Sequence, residues 1–274
     1  MKENRVLLVI RYILLIIASL VVLFPILYSL LISLETSNHV STYPPQLWPH
    51  PFHFASYAEA LQAAPLGRFL LNSFIMSAII VCGQIVTSLL AAYAFVYLRF
   101  RGRDVMFLVF LATMMIPTEV TMIPNYMTIR ALGWLDTFAG LTVPFLANAF
   151  GIFLLRQYLL QLPYELFEAA KMDGASQWRF LISVVVPLSR PILATLAVYV
   201  FLQSWNMYLW PLLTTNSTSM RTVQVGLGML QNQDALSWNL TMAGVVIISL
   251  PTLILLFFAQ KHLVKGLTAG AVKG

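Results

Sequence analysis

Apolar residues in this chain fall in long unbroken runs, not in the short amphipathic stripes of a soluble helix. Five runs are free of charge: Tyr12 to Leu34, Phe69 to Leu98, Thr137 to Leu155, Pro191 to Leu213 and Ala235 to Gln260. About 20 consecutive apolar residues cross the hydrocarbon core of a bilayer as a helix, so each predicts a membrane span. A sixth stretch, over 105–129, is interrupted. Val105 to Thr118 is uncharged, Glu119 follows, and Val120 to Ile129 is apolar again. It is counted here as a span, with a re-entrant or interfacial segment as the alternative. The resulting fold class is all-α, a single polytopic membrane domain over 1–274 with six transmembrane helices.

The first run follows Lys2, Arg5 and Arg11, as the core of a cleaved signal peptide would. It is too long for one, since such cores have about 7 to 15 residues and end at a small-residue cleavage site. Two longer connections lie on the other side of the bilayer. Glu35 to Arg68 includes "YPPQLWPHPFHF", where prolines favour extended structure and aromatics suit the membrane interface. Thr214 to Asp234 is rich in Ser, Thr, Asn and Gln. No repeat of fixed period and no pair of similar halves is evident.

Composition agrees with a lipid solvent. Of 274 residues 59% are hydrophobic and only 9% charged, where a soluble domain would have about a quarter charged. The few charges are distributed unevenly. Thirteen Lys and Arg flank the N-terminus, the "RFRGRD" loop (Arg99, Arg101, Arg103), the connection 156–190 and the C-terminus, against Arg68, Arg130 and Arg221 on the other side. Basic residues near span ends stay in the cytoplasm, so both termini are expected there. The net charge of +6 is thus a topology signal and not a sign of nucleic-acid binding. Cys82 is alone, which excludes a disulfide within the chain.

The polar connection 156–190 contains "ELFEAAKMDGASQWRF" and reads as helix, turn, helix. Pro163 suits a first helical turn, and Glu165 and Glu168 sit near its positively polarised end. Gly174 suits the left-handed residue that ends it, and Ser176 caps a second helix. At helical spacing Leu166, Ala169, Ala170 and Asp173 share one side, with Phe167 at its edge. Small residues there allow close approach of another surface, although an ordinary solvated loop fits the pattern as well.

"EAAKMDGASQWRFLISVVVPLSRP" resembles the EAA loop of ABC importer membrane subunits, with Glu168, Ala169, Ala170, Gly174 and Pro187 at the motif positions and Val186 where leucine is usual. Asp173-Gly174-Ala175 and Pro191 resemble the carbohydrate-uptake branch. "LLNSFIMSA" and "VKGLTAGAVKG" extend the likeness over nearly the whole chain. The resemblance implies a coupling helix on the cytoplasmic side, seated in a cleft of an ATPase subunit, with Glu168, Ala169, Ala170, Asp173 and Gly174 at the contact. It also implies a second homologous permease subunit, two ATPase subunits that hold ATP and Mg, and an extracytoplasmic solute-binding protein. This chain would bind no cofactor itself and act as a non-catalytic transporter subunit.

Missing motifs fit that expectation. No G-x-x-x-x-G-K-[ST] is present to cradle ATP, and no H-E-x-x-H. His39, His50 and His53 cluster in an outer loop and His262 lies near the C-terminus; such a cluster can bind metal, but among prolines an interfacial loop is expected instead. An ion-coupled carrier or channel, the alternative of another class, would be expected to carry ionisable groups in its spans, and only Glu119 qualifies. A scaffold or membrane enzyme would need a polar catalytic cluster that is not evident.

The fifth run ends "FLQSWNMYLWPLL", which places Gln203, Trp205, Asn206, Tyr208 and Trp210 together. An interfacial aromatic belt accounts for Trp210 as well as a ligand does. Amides within a span seek a partner helix or a watery path, and with aromatics they suit hydroxyls and sugar faces. Asn148 and Gln84 are further candidates of this kind. "WNMYLWPLL" is similar to the matching segment of glycerol 3-phosphate importer permeases, which implies glycerol 3-phosphate or a related glycerophosphodiester as solute. Neutral-sugar permeases share Trp-Asn followed by Pro-Leu, so a maltose-type oligosaccharide is the alternative. No Lys or Arg lies mid-span to meet a phosphate.

Overall fold

The computed structural model describes residues 5–36, 48–233 and 238–268. His39, Asp234 and the C-terminal Ala269 to Gly274 of the sequence motif lie outside the described residues. All regular structure among those described is helical. The chain divides into two compact units, Met1–Gly67 with Gly226–Leu250, and Arg68–Val225 with Pro251–Gly274.

In the first unit α1 (Arg5–Ser33) is long enough to cross a membrane and buries almost none of its apolar surface within this chain. Ser33 Oγ at its end lies 2.7 Å from Tyr57 Oη on α2 (Ala55–Ala63). That helix was not anticipated in the Pro-rich loop. Its sequence, ASYAEALQA, holds four alanines, the best helix former, and no proline. Ser56 of α2 also meets Asn239, whose Nδ2 donates to its Oγ at 3.2 Å.

The second unit begins with most of α3 (Leu66–Tyr97), an uninterrupted span. Three bent pairs follow. Arg103–Thr113 (α4) meets Thr118–Ala131 (α5) at 95°, Phe138–Thr142 (α6) with Val143–Phe145 meets Ala149–Leu159 (α7) at 46°, and the segment 177–188 meets Arg190–Trp205 at 76°. Among the described residues the helices long and apolar enough to cross therefore number three, or up to six if each bent pair is one span. The third apolar stretch, counted from the sequence as a span with a re-entrant or interfacial segment as the alternative, is the most sharply bent. Neither half alone covers the core, since at 1.5 Å per residue they reach only about 16 and 21 Å of its roughly 30 Å.

The connection read as 156–190 is largely helical. After α7 come α8 (Glu165–Met172) and α9 (Gln177–Phe180), which continues through a wide π turn, Leu181–Val185, and Val186–Leu188 into α10 (Arg190–Trp205). The fifth apolar run is interrupted after Trp205, and a six-residue helix α11 (Leu209–Thr214) follows. The polar stretch after Thr214 turns helical again in α12 (Val223–Gln233), ahead of the last span in α13 (Trp238–Thr268).

Packing within this unit is tight where helices cross. A Cβ at Gly151 of α7 would overlap Ser88 Oγ of α3 and lie 3.5 Å from Leu196 of α10. Among the buried core residues are Met76, Ile80, Leu141, Leu155, Val185 and Leu196.

Candidate functional site: a cavity where three helices break

A broken helix frees backbone carbonyls, and in an apolar medium each needs a partner. At the break before α7, Gln84 Nε2 of α3 donates to Phe145 O at 2.8 Å and Thr87 Oγ1 to Leu146 O at 2.7 Å. Asn148 caps the new helix, accepting from Phe150 N–H at 2.8 Å. At the end of α10 Asn206 Nδ2 donates to Leu202 O at 2.8 Å, while its Oδ1 accepts from Gln224 Nε2 at 3.3 Å. At Ser189 the bend leaves Leu188 O to Tyr158 Oη, 2.7 Å away. The break before α5 falls at Pro117, which has no N–H to lose.

Three of these interruptions meet at one cavity of about 550 Å³. Thr118, Thr121, Met122 and Asn125 line it from α5, Phe145 and Asn148 from the second break, and Gln84 and Ile80 from α3. The remaining wall comes from Tyr199, Val200, Gln203 and Ser204 of α10 and from Asn206 through Trp210. Every lining side chain is uncharged. Trp210 is held edge-on to Phe145, ring centres 5.5 Å apart, and its Nε1 donates to Gly140 O at 3.2 Å.

Five of the six path residues read from the sequence, Asn148, Gln203, Asn206, Tyr208 and Trp210, border this cavity, and Gln84 does too. Trp205 does not. It is buried, stacked on Phe201 with centres 5.3 Å apart, because the last turn of α10 carries it around the helix from Ser204 and Asn206. Asn148 and Asn206 also serve the backbone, whereas the Gln203 side chain makes no hydrogen bond to a described residue and is left to face the cavity. Glu119, in the first turn of α5, is exposed and outside the lining.

The polar elbow is anchored from behind by aromatic rings. Tyr97, at the end of α3, packs against Phe167 and Phe180 with centres 5.3 Å apart in both cases, and Phe167 meets Phe180 at 5.3 Å. The Tyr93 hydroxyl donates to Gln177 Oε1. Gly174 turns the chain at φ 73° with open space about it, and Ser176 Oγ accepts from Arg179 N–H at 3.3 Å. The alanine pair is divided by this arrangement. Ala170 faces inward with Phe167, while Glu168, Ala169, Asp173 and Gly174 are exposed. Ala170 stands three residues after Phe167, on the same face against the aromatic base, while Ala169 is turned about 100° from it. Met172 and Trp178 add exposed apolar surface, 84% and 64% accessible.

Residues 84–269 match the family of binding-protein-dependent transport system inner membrane components. The chain belongs to this family. It is 39% identical, over 97% of its length and 98% of the relative's, to the sn-glycerol-3-phosphate transport system permease protein UgpE of Agrobacterium fabrum. The protein of the same name from Brucella suis is 38% identical over 94% of this chain and 95% of its own. Among solved structures, one chain of a bacterial ABC transporter involved in the import of the acidic polysaccharide alginate superposes with a TM-score of 0.82. The two share 27% identity over 95% of this chain and 98% of that one. An alginate ABC transporter solved in complex with a periplasmic protein bound to an alginate pentasaccharide shares the fold at a TM-score of 0.65 and 14% identity, covering 90% of this chain and 92% of that one.

As an inner membrane component of such a transport system, the chain has a cavity with one wall that the sequence did not single out. Thr118, Thr121 and Asn125 stand at spacings of three and four, so they share a face of α5. That spacing was visible in the sequence. It carried no weight because the stretch 105–129 was weighed only as a span or a re-entrant segment, from its hydropathy.

Proposed function

We propose that this chain is the permease subunit of an ATP-driven ABC importer and forms half of the path for sn-glycerol 3-phosphate or a related glycerophosphodiester. The observation that carries the solute is the near full-length likeness to relatives named as sn-glycerol-3-phosphate transport permeases. The cavity bordered by Gln203, Asn206, Tyr208, Trp210 and Asn148 is the candidate path. Its amides and hydroxyls suit a polyol, and breaks in helices are where transporters build such sites. A second homologous permease, a solute-binding protein and two ATPase subunits complete the importer, the ATPases holding ATP and Mg. Both termini and the elbow face the cytoplasm.

Glu168, Ala169, Asp173 and Gly174 are the coupling surface, with Ala170 setting the helix against its aromatic base. As the ATPases close on ATP, elbows docked in them move and carry the spans between inward-open and outward-open states. A maltose-type oligosaccharide is the second reading, and the uncharged lining favours it, because a phosphate ought to meet a cation. Under the first reading that cation belongs to the companion permease or the solute-binding protein.

Uptake of radiolabelled sn-glycerol 3-phosphate and of a labelled neutral oligosaccharide, in cells with and without the gene, decides between them. Loss of only the phosphate ester's uptake supports the first reading. Loss of only the sugar's uptake keeps the importer and replaces its solute, and uptake that persists without the ATPase would contradict both.

A further inference from the structure

Among the described residues Asp136, in the turn between α5 and α6, is alone among non-glycines in having a left-handed backbone, at φ 56°. Aspartate tolerates that conformation better than most side chains. The turn uses it to grip another segment. Its N–H donates to Thr214 O at 2.9 Å, a carbonyl left without a helical partner at the end of α11. Its Oδ1 accepts from the N–H groups of Asn216 and Ser217, both at 2.8 Å, and from the Ser217 hydroxyl at 2.9 Å. Burial pushes this carboxyl up, but the bonds from Ser217 and Asn216 and the charge of Arg221 outweigh it and hold the group below the usual carboxylate range.

Four residues further on, Gly140 O receives the indole N–H of Trp210. The short helix α11 is therefore tied at both ends to one segment, 136–140. Six residues are too few to hold a helix in place by their own hydrogen bonds, so its orientation comes from these ties. Tyr208, Leu209 and Trp210, at its start, are cavity wall.

We infer that Asp136 is a positioning residue for solute passage, fixing α11 so that Tyr208 and Trp210 keep their places in the cavity wall. The inference rests on the cavity being the path. A residue that merely braced an outer loop would change how much transporter assembles, whereas one that places a contact changes how the solute is held.

The test is uptake kinetics in proteoliposomes of the complete transporter, with assembled complex quantified, using sn-glycerol 3-phosphate or the oligosaccharide if uptake identifies that solute. Asp136→Gly keeps the left-handed backbone and deletes the carboxylate. It should raise KM about tenfold, with Vmax per complex within about twofold. Asp136→Asn, which keeps the accepting oxygen, should stay within about threefold of wild type, and in a Tyr208→Ala background Asp136→Gly should add less than about twofold. If Tyr208→Ala raises KM while Asp136→Gly lowers only the amount of complex, the inference falls and the path reading stands. If Tyr208→Ala itself leaves KM unchanged, the path reading falls and the positioning role with it. Should Asp136→Gly not assemble, Ser217→Ala, which removes one donor, decides: a rise of about two- to threefold in KM supports the inference, and no change overturns it.

Discussion

Gln203 and Asn125 approach the cavity from α10 and α5, and neither amide bonds a described residue, so both are available to a solute. Replacing either by leucine should raise the KM for uptake roughly two- to tenfold, the effect of losing one hydrogen bond of about 0.5–1.5 kcal/mol, with normal membrane levels. An unchanged KM in both variants would remove them from the path. Trp205 is the contrasting case. Its indole N–H has no partner among the described residues and its ring lies on Phe201 outside the cavity, so Trp205→Phe should leave KM as it is. At this scale sequence reasoning found the polar cluster but could not sort its members. Trp205 and Asn206 are neighbours in the chain, and only the end of α10 decides which of them faces the cavity.

Helices break here because other elements receive what the breaks release. Gln84 and Thr87 take the carbonyls of Phe145 and Leu146, some 60 positions along the chain, and Tyr158 takes that of Leu188. Such partners are invisible to hydropathy, so the runs were legible as elements while their 95°, 46° and 76° bends were not. Crossings are equally specific. Any side chain at Gly151 meets Ser88, and Gly151→Leu should cost about 1–3 kcal/mol of packing and lower the amount of folded permease, measured as detergent-resistant protein. The elbow behaves differently. At Gly174 a Cβ would meet nothing within 4 Å, and aspartate tolerates a left-handed backbone, so Gly174→Asp should insert at wild-type levels. Uptake should nevertheless be lost, with less ATPase co-purifying, because the space at Gly174 is free in this chain and any clash arises from what docks there. Normal uptake by that variant would contradict the docking role.

For the whole molecule the testable statement is its orientation. In a Cys82→Ser background an impermeant maleimide should label Asn216→Cys in intact cells, but Asp173→Cys only after permeabilisation; the reverse pattern would invert the topology. The exposed length of α1 belongs to the same scale, since a helix apolar on all sides must face lipid or another subunit. The sequence by itself determined that this is an all-α membrane protein of the binding-protein-dependent transport family. Lipid demands uncharged runs of fixed length and the elbow motif is contiguous, so both are written locally in the chain. Only the tertiary structure decided that three breaks face one uncharged cavity, that Ala169 and Ala170 part company, and that Asp136 reaches across to the chain at 214–217. Those outcomes depend on hydrogen bonds and contacts between residues far apart in sequence, and their partners are chosen by packing.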